Sequence, residues 1–190
     1  MSRLFAAAML ALALAFPLTA GAVDAAGVER TEEARQDRLF EQLKNARTET
    51  EGRAVENAIW EMWMAQAPTP AIARDVKNAM DARESYDFNR ALMLLDGVVA
   101  AAPNYAEGWN QRAFIRFLKE DPDGALEDID RALELEPRHF GALAGRGIIL
   151  MQQDRAQLGQ KALREAIEIH PWLKERSMLI PEPKPEGRDI

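Results

Sequence analysis

Three prolines, Pro103, Pro137 and Pro171, stand 34 residues apart, and a fixed period of that length leaves a chain few folds to adopt. The register they impose holds elsewhere. Ala91, Ala125 and Gly159 form one column, Leu95, Ile129 and Leu163 a second, Val98, Ala132 and Ala166 a third. Earlier in each unit, Ala79, Ala113 and Gly147 align. Recurring small and apolar places are what a stack of equivalent units requires, because each unit buries its apolar face against the next.

Within a unit the apolar spacing is helical. Trp109, Ala113 and Phe117 share one stripe, and Leu126, Ile129 and Leu133 share another. Turn formers separate the stripes in "YDFN", "EDPD" and "QQDR". The periodic proline ends the second stripe, since its ring cannot continue the backbone hydrogen-bond ladder. Each unit therefore reads as two antiparallel helices that approach closely at the small residues. The expected fold is all-α, an α-solenoid of antiparallel helix pairs.

The middle unit puts Trp109, Ala113, Ala125, Ile129, Ala132 and Pro137 in the Trp, Gly, Ala, Phe, Ala and Pro places of a known 34-residue signature. The third unit matches it with Leu143, Gly147, Leu150, Gly159, Leu163, Ala166 and Pro171, and the first with Ala79, Phe88, Ala91, Leu95 and Pro103. On these residues the chain resembles the tetratricopeptide repeat family over 72–173, as units 72–105, 106–139 and 140–173. It departs from the signature at Asp75, where Trp is usual, at Arg112 and Arg146, where Leu is usual, and at Gly159, where Ala is usual.

The resemblance implies a superhelix whose inner groove is lined by the first helix of each unit. Carried over residue by residue, the groove comprises Val76, Met80 and Arg83, then Asn110, Phe114 and Phe117, then Ala144, Ile148 and Met151. The implied role is a non-enzymatic protein–protein interaction module offering a mostly apolar groove to a peptide or helical segment of a partner. Phe114 and Phe117 would anchor the segment, and Met80 and Met151 would adapt to it. The Lys and Asn set with which some members clamp a terminal carboxylate is missing. The sequence leaves open whether a partner or the chain's own N-terminal helices or tail fills the groove. It also leaves open a structural subunit that self-associates through its repeat ends, and, further back, an enzyme with an unrecognised site.

The flanks are less regular. Residues 23–71 read as a degenerate helical pair joined by "RTETEG", with stripes Leu39, Leu43, Ala46 and Ile59, Trp63, Met64. "WLKERSML" predicts a short closing helix, and the prolines of "IPEPKPEGRDI" predict an extended tail within 174–190. Residues 1–22 have the form of a signal peptide. Arg3 precedes the uncharged run Leu4 to Leu18, and Ala20-Gly21-Ala22 offers a cleavage point after Ala22. The competing reading is a retained membrane anchor. Cleavage implies export, to a periplasm or beyond, with no membrane span left in the mature chain.

Chemistry is sparse. The 190 residues include no Cys, which removes disulfides, thiolate nucleophiles and zinc–thiolate sites. The net charge of −7 becomes −8 once Arg3 leaves with the leader, which disfavours nucleic acid and anionic membrane as partners. The acidic stretch "EDPDGALEDID" resembles a calcium loop, but Lys119 would hold the first ligand place and Asp130 the twelfth. It reads instead as a turn, with Asp123 capping the next helix and Glu127, Asp128, Asp130 and Glu134 solvated. His139 and His170 stand in neighbouring connections with no nucleophile nearby, so no metal or cofactor is expected. Arg112 and Arg146 read either as a grip for an acidic partner or, by preference, as structural cations meeting a carboxylate such as Asp128. Trp60, Trp63, Trp109 and Trp172 read as core.

Overall fold

A computed structural model describes residues 25–181. Among these the regular elements are all helical: α1 (Ala25–Asn45), α2 (Glu49–Ala65), α3 (Pro70–Glu84), α4 (Phe88–Ala101), α5 (Ala106–Leu118), α6 (Pro122–Leu135), α7 (Phe140–Gln152), α8 (Ala156–Ile169) and a terminal 3-10 turn, Lys174–Met178. None of the helices is long and apolar enough to cross a membrane. The leader with its cut after Ala22 and the tail beyond residue 181 lie outside the described residues.

Local chemistry sets the helix starts. The side chains of Thr48, Thr69, Asp87 and Asp121 accept from the N–H groups of Glu51, Ile72, Arg90 and Gly124, each satisfying a donor the helix itself leaves free. Pro70 and Pro122 stand in the first turns, where a missing N–H costs nothing. The cap of α6 is thus Asp121, not Asp123, because Pro122 fixes the first helical position. Between the two helices of each repeat the chain turns through a left-handed residue. Tyr86, Glu120 and Asp154, again 34 residues apart, have φ of 60°, 61° and 59°. The next N–H in each case returns to the helix just ended, to Ala82, Arg116 and Leu150 O at 2.8–2.9 Å.

The hairpins α3/α4, α5/α6 and α7/α8 pack on their small columns. Ala79, Ala91, Ala113, Ala125, Ala132 and Ala166 are all buried, and α7 and α8 come closest at Gly147 and Gly159, where a side chain on either would meet backbone. Successive hairpins are also tied by charge. Arg112 on α5 reaches back to Asp96 on α4 at 3.0 Å, and Arg146 on α7 reaches Asp130 on α6 in the same repeat relation. Arg112 further holds Asp128 through two bonds of 2.8 and 2.7 Å. Asp128 is buried, which corrects its placement on the solvated side. Its turn of α6 faces α5, and Arg112 and Arg116 compensate the buried charge.

The N-terminal pair is a helical hairpin, as expected, but it does not continue the stack at the near end. Apart from Met64 and Ala67 at the junction, its apolar face packs on the far end of the array. Phe40, Leu43, Ile59, Met62 and Trp63 share one cluster with Phe140, Leu143, Ala144, Ala166 and Leu173. Polar contacts fasten it there: Arg138 to Asp37 at 2.7 Å, Gln36 to Glu136, and the Trp172 indole N–H to Ala46 O at 2.9 Å. Gly52 is required for this docking, since a Cβ there would lie 2.7 Å from the Trp172 ring. The linker is also shorter than "RTETEG", because α2 begins at Glu49.

Candidate partner-binding groove

Folding the first hairpin back turns an open groove into a walled one. A cavity of about 470 Å3 lies between Trp60 and Met64 of α2, Met80 and Arg83 of α3, Asn110, Phe114 and Phe117 of α5, and Ala144 and Ile148 of α7. Seven of the nine residues expected in the groove, all but Val76 and Met151, therefore line one space. Val76 is fully buried in the α3/α4 seam with Ala79, Leu95 and Val98. It sits about 40° round the helix from Met80, enough to turn it from the groove into the hairpin interface. Met151, at the end of α7, packs over α8, with Sδ 3.1 Å from Gln160 Nε2.

The floor contains a polar chain that the apolar reading of the groove overlooked. Arg83 Nη1 donates to Gln111 Oε1 at 3.2 Å, and Gln111 Nε2 donates to Glu107 Oε1 at 2.5 Å. Asn110 Nδ2 donates to Glu107 Oε2 at 3.2 Å, and His139 Nε2 lies 2.9 Å from the same oxygen. The His139 tautomer follows from its other nitrogen. Nδ1 accepts from the Ala142 N–H as the cap of α7, so Nε2 carries the proton and donates to Glu107. Burial, and then the charge of Glu107, push the Tyr105 hydroxyl well above its usual value. Glu107 and Gln111, four apart on a first helix, were the available sign of this chain, but its partner His139 lies 32 residues further on.

The wall is held by aromatic stacking. The Trp63 ring lies flat on His139, with centroids 4.0 Å apart and planes at 12°, and Trp60 meets His139 and Phe140 edge-on. Beside it, His170 Nε2 is 3.2 Å from Glu56 Oε2, a close ion-pair distance at an angle short of a well-formed hydrogen bond. His170 chiefly holds the Glu56 carboxyl below its usual value, against the opposing effect of burial and with help from Arg53. For Arg112, burial disfavours the charge, but Asp128 and then Asp96 more than offset this and keep the guanidinium protonated. Both buried histidines therefore serve the docking of the first hairpin, and the described residues contain no cluster of three or more metal-ligating side chains.

A family model described as tetratricopeptide repeat matches residues 106–139, the middle unit of the array. A TPR repeat-containing protein of Rhizobium etli is 33% identical over 180 residues, spanning 89% of this chain and 88% of that protein. The chain belongs to the tetratricopeptide repeat family. Tetratricopeptide repeat protein 36 of Xenopus tropicalis is 28% identical over 111 residues, 56% of this chain and 55% of that protein. Among solved structures, MamA 41-end from Desulfovibrio magneticus RS-1 aligns at a TM-score of 0.49 with 19% identity, over 78% of this chain and 80% of that one. Tetratricopeptide repeats bind other proteins.

Proposed function

We propose that the protein is an exported interaction module whose walled groove receives an apolar or amphipathic segment of a partner protein. The observation that carries this is Phe114. It keeps 44% of its surface exposed in the middle of the groove floor, with the Arg83 guanidinium 5.3 Å from its ring centroid. An aromatic side chain left open in a concave apolar site is the kind of anchor on which helix-in-groove recognition depends. The first hairpin supports the reading by leaving this space open. It supplies a wall through Trp60 and Met64 and does not reach over Phe114. The Arg83 donors not used by Gln111 offer the incoming segment a polar contact at the rim.

The test is a photo-crosslinking residue at position 114 in the native host, with adducts identified by mass spectrometry. One discrete partner is expected, lost from the folded Phe114→Glu variant at an equivalent crosslinking position on Met80. Unchanged capture by that variant would overturn the proposal. Export is tested separately by the N-terminal sequence of the mature protein, which is expected to begin at Val23.

A further inference from the structure

The buried polar chain of the groove floor ends in a cation that meets no opposite charge. Glu107, Gln111 and His139 are all buried, and their hydrogen bonds lead outward to the Arg83 guanidinium, which Gln111 Oε1 holds through Nη1. The other charged groups lining the cavity are compensated locally. Glu56 meets His170 and Arg53, Lys174 meets Glu175 at 3.6 Å, and Glu107 accepts from three neutral side chains. Among the described residues Arg83 has no carboxylate partner, and of its five N–H groups only one, on Nη1, has an acceptor.

That arrangement selects an anion, and its dimensions say how the anion is carried. With Nη1 held by Gln111, the Nε and Nη2 donors remain as a planar fork that matches a carboxylate through two parallel hydrogen bonds. The guanidinium lies 5.3 Å from the centroid of the Phe114 ring, whose exposed surface takes an apolar side chain. Residues three or four apart on a helix have Cβ atoms about 5–6 Å apart, so one turn of a helical segment reaches both. The ring also keeps water from one side of the ion pair, which strengthens it. Recognition of a free chain terminus needs further donors converging on the same spot, and Asn110 instead turns its amide to Glu107. The carboxylate is therefore a side chain.

We infer that the groove takes an acidic amphipathic helical segment, with an Asp or Glu on Arg83 one helical turn from the apolar residue on Phe114. This rests on the reading that the groove receives a partner segment, and it adds the charge of that segment. Glu107 and Gln111 then act as positioning residues. They hold the Arg83 fork in place before the partner arrives, so less side-chain freedom is lost on binding.

The test is selection from a library of random peptides about 15 residues long, enough for four helical turns. Each is fused to its carrier at the C-terminus, so no free terminal carboxylate is present, and the bait is the purified protein. Selected peptides should carry Asp or Glu three or four residues from an apolar residue. Replacing that acid by its amide should weaken binding to the native protein by roughly tenfold. The same replacement should weaken binding to the Arg83→Gln variant by less than about twofold. Arg83→Glu should select Lys or Arg at that place, with the far-UV circular dichroism of both variants unchanged. An acidic preference that survives Arg83→Gln, or binders that are lost from Phe114→Glu but show no acidic preference, would overturn this inference and leave the groove reading standing. Binding indifferent to Phe114→Glu, or no selected peptide at all, would overturn both.

Discussion

Replacing Gly159 with alanine sets two opposing effects against each other. Glycine in a helix interior is worse than alanine by about 1 kcal/mol, so the substitution should help α8 as an isolated helix. In the packed hairpin, however, the added Cβ would lie 2.7 Å from the Gly147 carbonyl oxygen, 2.6 Å from Met151 Cγ and 3.0 Å from Met151 N. The thioether can swing aside, but the two backbone atoms move only if α7 and α8 separate. Overpacking of that kind costs about 1–3 kcal/mol, which exceeds the propensity gain and leaves a net loss of about 1 kcal/mol. Urea denaturation should therefore show a lower midpoint at unchanged slope, and the melting temperature should fall by about 2–4 °C. Gly97→Ala is the control, because the space there is open and only the gain of up to about 1 kcal/mol remains. If Gly159→Ala stabilised the protein as much as Gly97→Ala, the close approach of the last hairpin would be refuted.

Glu120→Gly removes a side chain from a left-handed turn residue and should stabilise the fold by about 0.5–1 kcal/mol, read from the same urea transition. Asp128→Ala leaves Arg112 and Arg116 facing a buried site with no carboxylate and should cost about 2–3 kcal/mol, with Asp96→Ala, an exposed partner, costing less than about 1 kcal/mol. Glu56 has its folded-state carboxyl below the usual 4.5, so its contribution is fully present above that pH and is lost as pH falls through the lowered value. The gap in melting temperature between the native protein and Glu56→Gln should accordingly narrow as the pH falls below about 4.5.

The repeat was legible because a solenoid writes its contacts at short range. The columns at Ala79, Ala91, Val98 and their successors mark the seams of hairpins whose partners lie within one or two units. Even the departure at Asp75 has a structural reason. Its counterpart Trp109 packs back on the preceding unit, donating its indole N–H to Pro103 O at 3.0 Å. No hairpin precedes α3 in the stack, so the chain can place a polar residue at that free edge.

Two kinds of information were not local enough to read. The first is the docking of the first hairpin, which depends on pairs such as Ala46 with Trp172, 126 residues apart, and Asp37 with Arg138, 101 apart. Trp63 looked like core from its stripe, but nothing in that stripe names His139 as the ring beneath it. The second is the difference between neighbours in a run of like residues. Asp128 was grouped with Glu127 and Asp130 as solvated, although helical rotation turns it alone of the three toward α5. Arg112, standing where leucine is usual, was the signal that a buried carboxylate waits opposite. Likewise Pro122 marked the first helical position and so pointed to Asp121 as the cap.

The position of the first hairpin decides whether the groove has a wall, and spin-label distances measure it directly. With no native cysteine, labels can be placed at exposed Lys44 on α1, Glu168 on α8 and Lys77 on α3. Lys44 and Glu168 border the same small cleft. The 44–168 pair should therefore give a short, narrow distance distribution, and the 44–77 pair a longer one. The reverse order, with α1 close to α3 and far from α8, would contradict the account.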